Sequence, residues 1–322
     1  MMAGLLMIVF VIWFGWWLFD SHRVYPASIY VESGEPFYKV VVKLRDREVI
    51  GSPWFFSKVG MLAGLDRRII PGRYDFSSRL SNYDVLRTLW QGRIARLSFT
   101  VPEGYSLSQI GQLLHQRCGT DLDVFNSLAR DSIYLDSLGI KAGFAEGYLF
   151  PETYNFQWGI TSHEVFESMA EQLFVRLDDT LMARADSLGY DLDGLLTMAS
   201  IIEMEGSRVD EFGKIASVYA NRRRIGMKLQ ADPTVIYGMG GLDRKLQIKD
   251  YEFPSRYNTY LHHGLPPTPI CSPGMAAIRA TLYPDSTDYL YFVADGTGYH
   301  VFNKTYSGHL TDTRKIKSNK RH

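Results

Sequence analysis

The sequence predicts an α+β protein with three parts: an N-terminal transmembrane helix, a small α+β region, and a mixed α/β domain built around a buried helix. Residues 1–19 contain no charged residue, and as a helix they would extend over roughly 28 Å, close to the hydrocarbon thickness of a bilayer. Strand-like and helix-like patterns alternate over residues 28–121. From Leu192 to Ile202 apolar residues occupy nearly every face of a helix, so this helix is expected to be buried.

A transmembrane anchor at residues 1–20 is favoured over a cleaved signal peptide. Trp13, Trp16 and Trp17 cluster toward one end of the segment, as in the aromatic belt of a membrane interface. A signal peptide would have a basic region before the apolar run and a small-residue cleavage site after it, and the sequence has neither. The flanking charges do not orient the segment, because Arg23 follows it and no Lys or Arg precedes it.

Composition excludes several classes of function. The 35 basic and 35 acidic residues balance, so nucleic acid is not an expected partner. Cys118 and Cys271 are the only cysteines, which excludes a disulfide framework but leaves open either one bridge or two free thiols. The sequence has no His-Glu-x-x-His or Cys-x-x-Cys metal spacing and no Gly-x-Ser-x-Gly nucleophile motif. We therefore expect no metal and no other cofactor.

Residues 21–121 are predicted to form the small α+β region. The predicted elements, in chain order, are strands at 28–31 and 38–44, a helix at 52–68, a turn that enters a strand at 69–76, a helix at 81–92, and a strand at 95–101. The turn Pro102-Glu103-Gly104 and an amphipathic helix from Ser106 follow the last strand. This piece resembles one half of a LysM module, a small βααβ unit that binds glycan chains. Glycan binding and a purely structural spacer are both open interpretations of it.

The rest of the chain is predicted to form a helical connecting region at 122–190 and a main domain at 191–322. Loops fixed by Pro or Gly carry polar side chains at 146–154, 229–238 and 257–274. Such loops can hold side chains rigidly at the rim of a cleft. Ordinary connecting loops are the alternative interpretation.

The buried helix ends in a pair of glutamates, Glu203 and Glu205. The two side chains differ by about 200° around a helix, so they do not serve one spot together. Glu205 shares a face with Ile201 and Ile202, and a carboxyl held against apolar surface has a raised pKa. A raised pKa is what a general acid needs near neutral pH. The alternative is that both glutamates are surface charges where the helix emerges.

Taken together and in order, these motifs resemble the MltG (YceG-like) family of bacterial endolytic murein transglycosylases. The resemblance is close over roughly residues 196–302 and weak before about residue 70. The segments that carry it are Ala199 to Glu205, Ala216 to Arg222, Ile225 to Gly238, Tyr257 to Tyr260, Gly264 to Pro267, Pro273-Gly274 and Tyr289 to Val293, with Glu146-Gly147, Phe150 to Tyr154 and Pro71 to Tyr74 upstream.

The resemblance implies that residues 191–322 form a catalytic domain with one catalytic glutamate, which falls on Glu205. Protonated Glu205 would donate to the oxygen that leaves C1 of N-acetylmuramic acid, and its carboxylate would then take the proton of the 6-hydroxyl. That hydroxyl would close on C1 and leave a 1,6-anhydro end without water. The residues expected to bind or position the substrate are Gln230, Asp232, Asn258, Glu152 and Tyr237.

Two positions depart from the family pattern. The family usually has a basic residue between the glutamates and a Thr after the second, where this chain has Met204 and Gly206. Neither change removes the acid, but Gly206 lacks a hydroxyl that could have oriented it.

The resemblance also implies a location and partners. Murein lies outside the cytoplasmic membrane, so residues 21–322 are expected on the periplasmic or cell-wall side, with peptidoglycan strands as substrate and peptidoglycan synthases as further candidate partners. The alternatives are a muramidase-type hydrolase that uses the same acid, a non-catalytic glycan-binding scaffold, and a membrane-tethered assembly protein for wall synthesis.

Overall fold

A computed structural model describes residues 2–32 and 34–319, and its mixture of helices and small sheets confirms the predicted α+β class. The chain forms two compact units. The first comprises Met1–Phe99, Arg117–Gly119 and Asn155–Ile160, and the second comprises Thr100–Gln116, Thr120–Tyr154 and Thr161–His322. The domain boundaries predicted at residues 121 and 190 stay a prediction.

The first unit begins with helix α1 (Met2–Phe19) and continues with a strand–helix–helix–strand arrangement. Its elements are β1 (His22–Val31), α2 (Phe37–Asp46), α3 (Pro53–Leu62) and β2 (Gly72–Leu80). Strands β1 and β2 are antiparallel, with Ile29 opposite Tyr74. This is the element order of a LysM module, but it lies at residues 22–80, whereas the sequence placed half a module after residue 95. A LysM-like glycan-binding role stays a prediction.

Helix α1 was expected to be a transmembrane anchor. Among the residues that the structure describes, no helix is both long enough and apolar enough to cross a membrane. The predicted transmembrane helix is therefore not supported.

The strand predicted at 38–44 is wrong, because these residues lie in helix α2. The buried side chains of α2 are Phe37, Val40, Val41 and Leu44, and this spacing of three and four residues is that of one helix face. The β-branched composition suggested a strand, but packing against the core of the first unit decides for the helix.

Helix α4 (Asn82–Trp90) follows β2 and confirms the helix predicted after Ser81. Ser81 and Asp84 form a capping box in which each side chain accepts the other residue's backbone N–H. A second two-stranded sheet pairs β3 (Arg96–Thr100) with β4 (Thr153–Gln157).

The second unit is mostly helical. Its helices are α5 (Leu107–Cys118), whose last two residues belong to the first unit, α6 (Leu122–Leu128), α7 (Ser132–Ser137), α8 (Ser162–Arg176), α9 (Asp179–Ser187), α10 (Leu192–Glu205), α11 (Phe212–Arg224), α12 (Asp232–Gly238), α13 (Met275–Leu282) and α14 (Tyr306–Asn319). An antiparallel hairpin of β5 (Tyr291–Ala294) and β6 (His300–Asn303) precedes α14.

Helix α10 lies at the centre of the second unit and confirms the predicted buried helix. Every residue from Leu195 to Ile202 is buried, and α10 packs against α9, α11, α12 and α13. Asp191 caps its N-terminus by accepting the backbone N–H of Gly194 at 2.8 Å. The helix therefore carries its C-terminal glutamates on a rigid, buried support.

Candidate active site

Glu205 is the last residue of α10, and its side chain is held by groups from two neighbouring helices. The hydroxyl of Tyr219, on α11, donates a hydrogen bond to Glu205 Oε1 at 2.7 Å. The backbone N–H of Asp232, the first residue of α12, also hydrogen-bonds the Glu205 carboxyl. Glu205 keeps partial exposure whereas Tyr219 is buried. The carboxyl thus has a fixed orientation and remains accessible.

The surroundings of Glu205 favour its protonated form. Burial is the largest cause and raises its pKa, the Tyr219 hydrogen bond and Arg222 act in the opposite direction, and the nearby charge of Asp232 adds to the effect of burial, so that the pKa is raised from 4.5 to about 7. Desolvation dominates because few polar groups replace the lost water around the ionised form. A carboxyl with this pKa can both give and take a proton near neutral pH.

Glu203 faces away from Glu205, as the helical spacing predicts. Its Oε2 accepts the backbone N–H of Gly274 at 2.9 Å, and burial raises its pKa to about 7. The alternative that both glutamates are ordinary surface charges is therefore wrong. Glu203 holds the loop before α13, whereas Glu205 is held by α11 and α12.

Asp232 lies beside Glu205 and is held by two tyrosines. Its Oδ1 accepts from the Tyr260 hydroxyl at 2.6 Å and its Oδ2 from the Tyr251 hydroxyl at 3.4 Å. The two tyrosine rings contact each other with centroids 4.6 Å apart. Burial, followed by the charge of Asp232, raises the pKa of Tyr260, so its hydroxyl stays protonated and donates. A second carboxylate is thus fixed next to the first.

Gln230 and Asn258 lie in the loops that carry this arrangement. Gln230 has φ of 53°, in the left-handed region that non-glycine residues rarely adopt, and its side chain is exposed. Asn258 is fully buried. Its amide donates to the carbonyls of Tyr251 and Phe253 at 3.0 and 2.9 Å and accepts the N–H of Tyr260 at 2.9 Å. Asn258 therefore fixes the loop that presents both tyrosines.

Tyr237 and Glu152 make other contacts. Tyr237, on α12, donates its hydroxyl to Glu146 Oε2 at 2.8 Å. Glu152 pairs with Arg176 at 2.5 Å, and no hydrogen bond or salt bridge of the described residues joins it to Glu205. Of the five predicted substrate-binding residues, the structure places Asp232 directly beside Glu205.

Sequence reasoning missed the partners that tune the site. Tyr219 and Arg222 lie on α11, which reaches Glu205 only through tertiary packing. Arg222 is buried and donates to the carbonyls of Leu229 and Leu290, which fixes the segment leading to Gln230. Tyr260 belongs to the segment from Tyr257 to Tyr260 that carries part of the family resemblance, but its distance along the sequence from Asp232 does not predict a contact between them. Their position on a motif-rich segment was the only available signal.

The structure decides between the two possibilities that the sequence left open, one disulfide bridge or two free thiols. Cys118 and Cys271 are both buried and both free. Burial raises the pKa of the Cys118 thiol to about 11, so it stays a thiol at neutral pH.

The second unit therefore contains a central buried helix that ends in a half-buried acid, with a second carboxylate beside it. The chain belongs to the YceG-like family, whose model matches residues 29–315. This confirms the resemblance found in the sequence.

Two curated relatives are similar to parts of the chain. The chain is 43% identical over 176 residues to an endolytic murein transglycosylase of Bacillus subtilis (strain 168), which covers 54% of this chain and 49% of the relative. It is 30% identical over 265 residues to an endolytic murein transglycosylase of Streptococcus pneumoniae serotype 2 (strain D39), with 72% and 47% covered. The chain spans about half the length of the curated relatives it matches.

A solved structure has a similar fold. The crystal structure of a putative YceG-like protein from Listeria monocytogenes superposes with a TM-score of 0.63 at 28% sequence identity. The match covers 89% of this chain and 98% of that one.

Proposed function

We propose that this chain is an endolytic murein lytic transglycosylase that cuts the bond between N-acetylmuramic acid and N-acetylglucosamine in nascent glycan strands. The observation that carries the proposal is Glu205, a partly exposed carboxyl on a buried helix with a pKa of about 7. The names of the relatives from Bacillus subtilis and Streptococcus pneumoniae support murein as the substrate. Strand cleavage of this kind would end the elongation of a strand.

The proposed reaction needs one acid that later acts as a base. Protonated Glu205 gives its proton to the glycosidic oxygen as the bond from that oxygen to C1 breaks. The carboxylate then removes the proton of the 6-hydroxyl, and the oxygen of that hydroxyl bonds to C1. The product carries a 1,6-anhydro end, Glu205 is protonated again, and no water is consumed. Because the first step uses the protonated form, the rate is expected to fall as pH rises above about 7.

Asp232 is proposed to stabilise the positive charge that develops on the sugar ring. The transition state of glycoside cleavage resembles an oxocarbenium ion, and a carboxylate fixed by Tyr251 and Tyr260 does not need to reorganise to meet it. Gln230 is proposed to contact the strand directly, because its side chain is exposed on a strained backbone. Asn258 would act by holding the tyrosines.

Tyr237 and Glu152 keep substrate-binding roles as proposals. Tyr237 lines a cavity beside the end of α10. Glu152 is about one third exposed and paired with Arg176, so any contact with the strand would involve both members of the ion pair.

The test replaces Glu205 by Gln and compares cleavage of uncrosslinked glycan strands with that of a matched control, Glu203→Gln. Glu205→Gln should lower the rate by about 100- to 10,000-fold, the usual contribution of a general acid. Glu203→Gln keeps an acceptor for the Gly274 N–H and should retain most activity. Full activity in the Glu205 variant would refute the assignment.

Mass analysis of the products separates the proposed reaction from the hydrolase alternative. Anhydro ends are one water lighter than the reducing ends that a muramidase produces. Reducing ends alone would refute ring closure while keeping Glu205 as the acid. Binding to murein without new ends would favour the scaffold alternative.

The proposal includes attachment to the cytoplasmic membrane through α1, with the catalytic unit on the cell-wall side. Large apolar side chains on α1 are exposed, among them Phe10, Trp16 and Phe19, and such a surface favours contact with lipid or another apolar partner. Deletion of residues 1–20 should release the chain from the membrane fraction. Unchanged retention of the deletion variant would refute attachment through α1.

A further inference from the structure

A cavity in the second unit contains groups that the proposed reaction does not use. Its volume is about 720 Å³, and its lining includes Gln109, Asn126, Arg130, Phe144 and Glu146. It combines one cation, a buried carboxyl, side-chain amides and apolar surface. This composition is suited to a ligand with both charged and amide groups.

Two residues of the cavity lining are sequence neighbours of the proposed catalytic residues. Met204 and Pro233 both line it. Met204 directly precedes Glu205 at the end of α10, and Pro233 directly follows Asp232 at the start of α12. The cavity wall and the proposed catalytic carboxyls thus share the end of α10 and the start of α12, so a long substrate strand bound at Glu205 could extend to the cavity.

Arg130 supplies a cation that no carboxylate of the described chain neutralises in a salt bridge. Its guanidinium carbon lies 4.5 Å from the centroid of the Phe144 ring. Stacking uses the flat face of a guanidinium and leaves its N–H groups free at the edge. Arg130 is also exposed to solvent, so it can meet an incoming carboxylate.

Glu146 is a buried residue of the cavity lining, and no salt bridge of the described residues joins it to Arg130. Its Oε1 accepts the backbone N–H of Leu107 at 2.7 Å, and its Oε2 accepts the hydroxyl of Tyr237 at 2.8 Å. Burial raises the pKa of Glu146 to about 7, and Arg130 acts weakly against that shift. Both carboxyl oxygens of Glu146 thus have donors, and its charge is partly suppressed near neutral pH.

The remaining groups favour a peptide over another sugar ring. Gln109 accepts the Ser106 N–H through its carbonyl oxygen, which leaves its two amide N–H groups for a ligand. Phe144 has one face covered by Arg130, and Tyr237 packs against Tyr257 with centroids 4.8 Å apart. One face of Phe144 and part of Tyr237 are therefore unavailable for stacking with a sugar ring.

We infer that this cavity binds the carboxylate-bearing stem peptide of a murein strand, with Arg130 as its ionic contact and the amides of Gln109 and Asn126 as partners for the peptide bonds. The inference rests on the proposed function, because it assigns a peptide-bearing glycan strand to the neighbouring catalytic site. Arg130 is a specificity residue in this arrangement, since it contacts the substrate away from the bond that breaks.

The test measures binding separately from cleavage. In the full chain carrying Glu205→Gln, dissociation constants are measured for uncrosslinked glycan strands and for the same strands after enzymatic removal of their stem peptides. The parent variant should bind the peptide-bearing strands at least about ten-fold more tightly, the usual worth of a charge-assisted hydrogen bond. Adding Arg130→Gln should abolish that difference and leave binding of the peptide-free strands unchanged.

Two further variants control for charge and for general damage. Arg208 is exposed, lies 4.5 Å from the centroid of the Tyr299 ring, and does not line the cavity, so Arg208→Gln should retain the preference. Asp243 lines the cavity and is exposed, so Asp243→Asn should retain or increase the preference for the anionic strands.

Equal binding of both strands by the parent, or equal weakening of both by Arg130→Gln, would overturn the inference and would favour a sugar in the cavity. Cleavage by the wild-type chain is scored separately. Peptide-dependent binding without any cleavage would refute the proposed function alone. Cleavage with no dependence on Arg130 or on stem peptides would refute the inference alone.

Discussion

Replacing Glu205 by Gln is expected to stabilise the second unit at alkaline pH while it removes the proposed acid. Burial raises the pKa of Glu205 from 4.5 to about 7, a difference of about 2.5 units (7 − 4.5). At roughly 1.36 kcal/mol per unit, ionising this carboxyl costs the folded state at most about 3.4 kcal/mol. Because Glu205 keeps partial exposure, we expect about 2 kcal/mol after allowance for solvent screening.

The sign of the effect follows from proton binding. Between pH 4.5 and about 7 the folded state holds the Glu205 proton while the unfolded state has lost it. The stability that this proton contributes is therefore complete below pH 4.5 and is lost as pH rises through about 7. Gln resembles the protonated carboxyl and does not titrate. The two proteins should thus differ little near pH 5, and the variant should be more stable near pH 8.

The assay is urea unfolding followed by far-ultraviolet circular dichroism at both pH values. All six tryptophans belong to the first unit, so tryptophan emission follows that unit separately and serves as an internal reference. Glu171→Gln, an exposed change on α8, is the matched control and should have no pH-dependent effect. A Glu205→Gln difference that is equal at the two pH values, or a variant less stable near pH 8, would refute the reasoning.

Three further outcomes test the surroundings of the site. Tyr219→Phe removes a hydrogen bond that favours ionised Glu205, so the alkaline limb of the pH–rate profile should move up by about half a unit to one unit; an unmoved limb would contradict this. Gln230→Gly removes the backbone strain of a non-glycine residue in the left-handed region and should raise the free energy of urea unfolding by up to about 1 kcal/mol. A simultaneous loss of activity would support contact between the Gln230 side chain and the substrate. Asn258→Ala leaves three backbone groups without their partner and should lower the free energy of unfolding by about 2–4 kcal/mol, so an unchanged unfolding midpoint would exclude its role in the loop.

The helix that carries the site could be predicted because its signal is local and strong. Apolar residues from Leu195 to Ile202 cover nearly every face of a helix, which predicts a buried helix, and the structure has α10 there. Helical spacing also separated Glu205 from Glu203, which the structure holds through different neighbours. The catalytic role itself stays a proposal.

The parts that could not be predicted depend on contacts between distant segments. Tyr219 contacts Glu205, and Glu146 lines the neighbouring cavity, only because α11 and the loop before β4 pack against the rest of the second unit. The periodicity of the sequence does not indicate which distant segments come into contact. The strand predicted at 38–44 failed for a related reason. Val40 and Val41 have strand propensity, but the core of the first unit selects their helical spacing.

Gly206 shows how a departure from a family motif depends on a neighbour. A Cβ atom at this position would lie 2.5 Å from the Phe212 ring and 3.1 Å from Ile215, closer than carbon atoms approach without displacement. The space that a Thr side chain would need is thus filled by Phe212. A Thr at position 206 is therefore expected to fit only together with a smaller side chain at position 212. In this chain, Gly206→Thr alone would have to displace the Phe212 ring, whereas Gly206→Thr combined with Phe212→Ala would leave room for the added methyl and hydroxyl groups.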